Sequence, residues 1–142
     1  MKKILVPIDG TCRSKKSLDF ILDKFSKDDF EITLINIGDV SEIGFSNIPQ
    51  STFIDEKLTQ IKEKSSYILD QCKKKLPGYE VKKCFLFGNP GKEIVSKSID
   101  HDFDIIVMTK STKKNFIDSI GSVTQYVVKK AKCIVIIVPE EY

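Results

Sequence analysis

Residues 105–138 read IIVMTKSTKKNFIDSIGSVTQYVVKKAKCIVIIV. The segment opens on an apolar run, Ile105-Ile106-Val107-Met108, passes through a polar loop, starts a helix at Gly121-Ser122-Val123-Thr124, and closes on a second apolar run, Cys133 to Val138. Short continuous apolar runs, rather than alternating ones, read as strands buried on both faces. Ile120, Val123, Val127, Val128 and Ala131 recur at helical spacing between them, which predicts a helix whose inner face lies on the sheet. A strand, a loop and a helix N-terminus in that order form a ready anion site, because unpaired backbone N–H groups and the helix dipole converge there. Lys110, Lys113 and Lys114 lie in the same loop. They read either as solvated loop lysines or as a source of attraction for phosphate.

The same grammar extends towards the N-terminus. Ile4-Leu5-Val6-Pro7-Ile8 is an apolar run ended by Asp9-Gly10, a strand leaving its sheet through a turn. Leu18, Ile21, Leu22 and Phe25 then fall at helical spacing, with Thr11 or Ser14 available as a cap. Ile32 to Ile37 is a second strand rich in β-branched residues. Gly38 to about Thr52, with Gly44, Pro49 and several Ser and Asn, reads as a long loop over the sheet edge. Leu58, Ile61, Ile68, Leu69, Cys72 and Leu76 mark one face of a long helix stopped by Pro77-Gly78. Val81 to Phe87 is a third strand, and Ile94, Val95, Ser98 and Ile99 mark a short third helix. The order β-α-β-α-β-α-β-α-β predicts a three-layer α/β/α sandwich around a five-stranded parallel sheet, with strand order 3-2-1-4-5. Ligands of such sheets bind at the carboxyl ends of the strands where the order reverses, which here means beside Asp9, Ile37 and the loop after Met108.

Bulk properties fit one domain spanning residues 1–142, a size that buries roughly two-thirds of its unfolded surface. Hydrophobic content of 41% and charged content of 30% place the chain among ordinary globular proteins. Net charge is only +3, and Arg13 is the single arginine. Reading of base edges leans on bidentate Arg, so sequence-specific nucleic-acid recognition is not expected. Cys12, Cys72, Cys84 and Cys133 are scattered, without the spacing of a metal site. They read as reduced thiols of a cytoplasmic protein. No run approaches the ~20 apolar residues that cross a bilayer, so no membrane association is expected.

Other motifs fail on inspection. Gly88-Asn89-Pro90-Gly91-Lys92 has two residues between its glycines and Glu93 after the lysine, where a phosphate loop needs four and then Ser or Thr. It reads better as a strand-to-helix turn with Pro90 at the first helical position. No dinucleotide fingerprint follows the first strand. His101, the only histidine, sits among Asp100, Asp102 and Asp104 and reads as a solvated turn residue.

One ordered series of fragments remains: Val6-Pro7-Ile8-Asp9-Gly10-Thr11 with Ser14 and Ser17-Leu18, Leu34-Ile35-Asn36-Ile37, Gly88-x-Pro90, Asp104 to Met108, Gly121 to Thr124, and Cys133 to Val138. In this order and spacing the chain resembles the universal stress protein family over its whole length. Nucleotide-binding members of that family hold ATP through a loop of the form G-x-x-G, nine residues, then G-(S/T). The glycines there admit the backbone to the phosphates, and the hydroxyl donates to a phosphate oxygen. Gly121-Ser122 preserves the last pair, whereas Thr109 and Thr112 stand at the two leading glycines and eight residues separate Thr112 from Gly121.

Carried over residue by residue, the resemblance places Pro7 and Asp9 beside an adenosine, Ile37 against the base, and Met108 at the entrance to the loop. It places Ser122, Val123 and Thr124 on the phosphate and ribose side. It implies a stress-response or regulatory protein binding an adenine nucleotide (ATP, ADP or AMP), with Mg²⁺. The alternative is a protein of the same fold with no cofactor, acting as a homodimer through the last strand, Cys133 to Val138, and contacting another protein. Slow ATP hydrolysis is a third reading, with Asp9 holding Mg²⁺ or orienting water. The lack of a second carboxylate and of a convincing base weighs against turnover.

Overall fold

A computed structural model describes residues 1–38, 51–110 and 121–142, with side chains described from 54 onward in the helix that begins at 51. Along them run β1 (Lys2–Pro7), α1 (Lys16–Lys24), β2 (Phe30–Gly38), α2 (Ser51–Lys74), β3 (Glu80–Phe87), α3 (Pro90–Asp100), β4 (Ile105–Thr109), α4 (Ser122–Lys130) and β5 (Ile134–Val138). All strand pairings are parallel, and the sheet order is β3-β2-β1-β4-β5. The expected sheet and its order are therefore present.

Burial explains the layers. Ile4, Val6, Ile32, Leu34 and Val107 meet Leu18 and Ile21 of α1 and Leu69 and Cys72 of α2 on one face. Leu5, Ile35, Ile106 and Met108 meet Ile94 and Val95 of α3 and Val127 of α4 on the other. Alternate residues of one strand thus serve two cores, so the central strands are apolar throughout. On the second face Gly91 admits the neighbouring helix closely, since a Cβ there would lie 3.0 Å from the Tyr126 ring.

The edges depart from expectation. β5 was expected to be buried on both faces, yet Ile134 is 62% exposed and Val135 to Ile137 are half-buried. It lies at the end of the sheet, with a neighbour on one side only. β3, at the other edge, exposes Lys82 and Lys83. Helix faces also shift. Leu22 of α1, Ile99 of α3 and Val128 of α4 point outward, whereas Ser17 and Thr124 are fully buried. Small polar residues close to the sheet replace apolar residues on the flank of the stripe.

Helix starts follow local chemistry. The Asn89 side chain accepts from the Lys92 N–H at 3.1 Å, and Pro90 opens α3 as expected. Thr11 Oγ1 accepts from the Ser14 N–H at 3.3 Å, capping the turn that leads into α1; the helix's own N-cap, Lys15, makes no side-chain cap bond. α2 begins at Ser51, earlier than its apolar face suggests, because Ile54, Asp55 and Glu56 in its first turns are exposed and carry no amphipathic signal. The expected loop is described only at Gly38 and within α2; its remaining residues lie outside the described ones. The four cysteines are free. No helix among the described residues is long and apolar enough to cross a membrane.

Candidate functional site

β1 stops pairing at Pro7, and the chain leaves the sheet through Ile8 and Asp9. Two bonds fix that exit. The Ile8 N–H donates to the Ile35 carbonyl at 2.8 Å, and the Ile8 carbonyl accepts from the buried Asn36 amide at 2.6 Å. Gly10 then adopts φ +84°, where a Cβ would lie 3.0 Å from Ile68 Cδ1 of α2. Glycine suits both the left-handed conformation and the space. The turn closes on Asp9, whose Oδ1 accepts from the Thr11 N–H at 2.9 Å and the Thr11 hydroxyl at 2.6 Å.

This exit forms one wall of a cleft at the carboxyl ends of β1, β2 and β4, where the sheet order reverses. The cleft encloses about 140 Å³ and is bordered by Pro7, Ile8, Asp9, Ser14, Ile35, Ile37, Pro90, Ile94, Met108, Thr109 and Val123. Pockets for drug-sized ligands usually hold roughly 300–1,000 Å³. The described walls therefore enclose part of a nucleotide-sized ligand rather than all of it, and most of them are apolar.

Of the residues singled out from sequence, Pro7, Asp9, Ile37, Met108, Thr109 and Val123 come together around this cleft. Gly121 and Ser122 stand at the start of α4 and do not border it. Thr124 does not border it either, being fully buried on the inner side of α4. Thr112, Lys113 and Lys114 lie outside the described residues. Sequence reasoning missed Ile8, Ile35, Pro90 and Ile94 as walls, and saw Ser14 as a helix cap and as part of the fragment series but not as a wall. Period-two alternation could have found Ile35, which shares a strand face with Ile37. Pro90 and Ile94, one turn apart on α3, follow once the Gly88-x-Pro90 turn is read as the start of a helix.

Polar groups are few. Neither Asp9 Oδ2 nor the Thr109 hydroxyl has a hydrogen-bond partner among the described residues, although Thr109 is only 7% exposed. α4 brings its first turn to the rim at Val123, and its N-cap is Gly121, so the positive end of a helix dipole lies beside the cleft, where it favours an anion. His101 lies at the other end of β4, where its carbonyl accepts from Lys3 Nζ at 3.0 Å. It has no part in the cleft. Among the described residues no three His, Cys, Asp or Glu side chains group as metal ligands. Burial raises the thiol pKa of Cys72 and of Cys133, which disfavours the reactive thiolate.

The family model for universal stress proteins matches residues 1–139. The chain belongs to the universal stress protein family. Among curated members, universal stress protein YxiE of Bacillus subtilis is 26% identical over 96% of this chain and 97% of its own length. Universal stress protein MJ0531 of Methanocaldococcus jannaschii is 30% identical over 96% of this chain and 81% of its own. Among solved structures, hypothetical protein MJ0577 superposes with a TM-score of 0.85 at 30% identity, covering 97% of this chain and 95% of that one. More distant universal stress proteins sharing the fold have been solved with cAMP, with AMP (from Arabidopsis thaliana) and with dAMP (from Archaeoglobus fulgidus).

Proposed function

We propose that this universal stress protein binds an adenine nucleotide in the cytoplasm, with the base between the Ile37 and Met108 sides of the cleft and the sugar at Asp9. The reading is supported by the cleft itself, an apolar slot with one carboxylate at a topological switch point, and by the nucleotides carried by solved family members. Thr109 and Thr112 stand where a triphosphate loop uses glycine, and a branched Cβ crowds close backbone approach. The phosphates accordingly contribute little: hydroxyls and the first turn of α4 at Ser122 and Val123 hold one phosphate, and Mg²⁺ is needed only when more phosphates are present. Four free cysteines accord with a reducing compartment.

Titration calorimetry and thermal shift with ATP, ADP and AMP, each with and without Mg²⁺, test this. AMP binds within about tenfold of ATP, and AMP at a hundred times its Kd stabilises the fold by about 2.7 kcal/mol. Asp9→Ala abolishes the shift. Absence of heat and of any shift with all three nucleotides would sink the reading.

A second reading is favoured by β5, an uncharged edge strand whose Ile134 is 62% exposed. It supports a homodimer paired along this strand, which then offers its outer surface to another protein.

A further inference from the structure

The polar corner of the cleft has already used its hydrogens. Both donors of Thr11, its N–H and its hydroxyl, point to Asp9 Oδ1, at 2.9 and 2.6 Å. Thr11 Oγ1 in turn accepts the Ser14 N–H at 3.3 Å, and the Ser14 hydroxyl donates its one hydrogen to the Thr11 carbonyl at 2.9 Å. A serine hydroxyl has one hydrogen and two lone pairs. Ser14, 2% exposed and bordering the cleft, therefore presents lone pairs to it and no donor. Asp9, with Oδ1 engaged in the turn, presents Oδ2, again an acceptor.

We infer that Ser14 is a specificity-determining residue of this cleft: with Asp9 it forms an acceptor-only corner that selects a ligand carrying two neighbouring hydroxyl donors, a vicinal diol such as that of a ribose. The inference rests on the adenine-nucleotide reading and adds the sugar preference. A ligand without those donors leaves a carboxylate oxygen and a serine oxygen desolvated and unpaired, and sites built to bond a ligand hydroxyl reject analogues that lack it. Free rotation would let a serine accept or donate as the ligand requires. The bond to the Thr11 carbonyl removes that choice.

The test measures the affinity of AMP and of its 2′-deoxy, 3′-deoxy and 2′,3′-dideoxy analogues for wild-type protein, Ser14→Ala and Ser14→Thr. In the wild type the loss of either hydroxyl weakens binding about five- to tenfold, and the loss of both weakens it further. Ser14→Ala binds AMP about five- to tenfold more weakly and becomes indifferent to one of the two hydroxyls. Ser14→Thr keeps the hydroxyl and its bond to Thr11, and it restores the preference. A general loosening of the turn would weaken all four ligands equally in Ser14→Ala, and that outcome overturns the inference. Equal wild-type binding of AMP and the dideoxy analogue overturns it while leaving the nucleotide reading intact. Failure of the wild type to bind AMP at all overturns both.

Discussion

Asn36 shows how a single side chain sets the shape of the cleft. The β1–β2 register ends at Pro7 and Ile35, and the next carbonyl of β1, that of Ile8, is held by the Asn36 amide at 2.6 Å in a buried setting. That bond fixes the direction in which Asp9 leaves the sheet. Replacing Asn36 by Leu leaves the Ile8 carbonyl desolvated without a partner, which costs about 1–3 kcal/mol. Asn36→Asp costs at least as much, because an ionised carboxylate cannot donate. Thermal melts of both variants fall by about 3–10 °C at this chain length, and AMP affinity falls with them because Asp9 loses its anchor. A melting temperature within one degree of wild type in Asn36→Leu would refute the role. Nothing in the hydropathy of Leu34-Ile35-Asn36-Ile37 announces this bond. The pattern shows a strand, and the partner of its one amide lies 28 residues away.

At the scale of elements, alternating apolar runs and helical stripes are enough to read the strands and their order, since a strand buried on both faces has no other home than the middle of a covered sheet. The same signal misleads where burial is one-sided. Leu22, Ile99 and Val128 are apolar and exposed, while Ser17 and Thr124 are polar and buried, so a stripe drawn by hydropathy is rotated from the true one. The residues after β5 carried no apolar pattern at all, yet they clasp α1 and the turn before it. Arg13 meets Glu140 at 2.9 Å, Lys16 Nζ donates to the Tyr142 carbonyl at 3.4 Å, the Tyr142 hydroxyl donates to the Asp23 carboxylate, and the Tyr142 ring packs edge-on against Phe20 with centroids 5.4 Å apart. The Tyr142 bond, with Lys24 beside it, holds the Asp23 carboxyl below its ordinary pKa, and Asp23 pushes the Tyr142 phenol above its own. The depressed acid contributes stability above the usual carboxylate pKa of about 4 and loses it as pH falls; the raised phenol contributes below about 10 and loses it as pH rises. Tyr142→Phe, which keeps the ring, should therefore lower the melting temperature by a constant small amount between about pH 5 and 9, with the difference fading towards about pH 2 and above about pH 11. A difference unchanged from neutrality to about pH 2 would assign the clasp to ring packing instead.

The whole molecule treats the two ends of its sheet differently, and that contrast bears on assembly. At the β3 edge Lys82 pairs with Glu31 at 3.2 Å and Lys83 with Asp70, so the strand is fringed with charge that discourages pairing. β5 reads Ile-Val-Ile-Ile-Val, carries no charge, and leaves Ile134 62% exposed. A strand pairing with its own copy across a two-fold axis runs antiparallel to it, which would join two five-stranded sheets into one and leave only the charged β3 edges outward. Ile134 is the position at which to break this, because its exposure in the single chain means that a change there spares the core. Wild-type protein at tens of micromolar is expected to scatter light at twice the chain mass and to melt at a temperature that rises with concentration. Ile134→Lys, which puts a charge on each copy of an otherwise uncharged edge strand, is expected to scatter as a monomer with a concentration-independent melt. Its AMP affinity should be unchanged, since the cleft lies at the opposite, carboxyl end of the strands. A wild-type protein that scatters as a monomer across this range would leave β5 an unpaired edge and remove the assembly; an Ile134→Lys variant that remains dimeric would move the interface to another face.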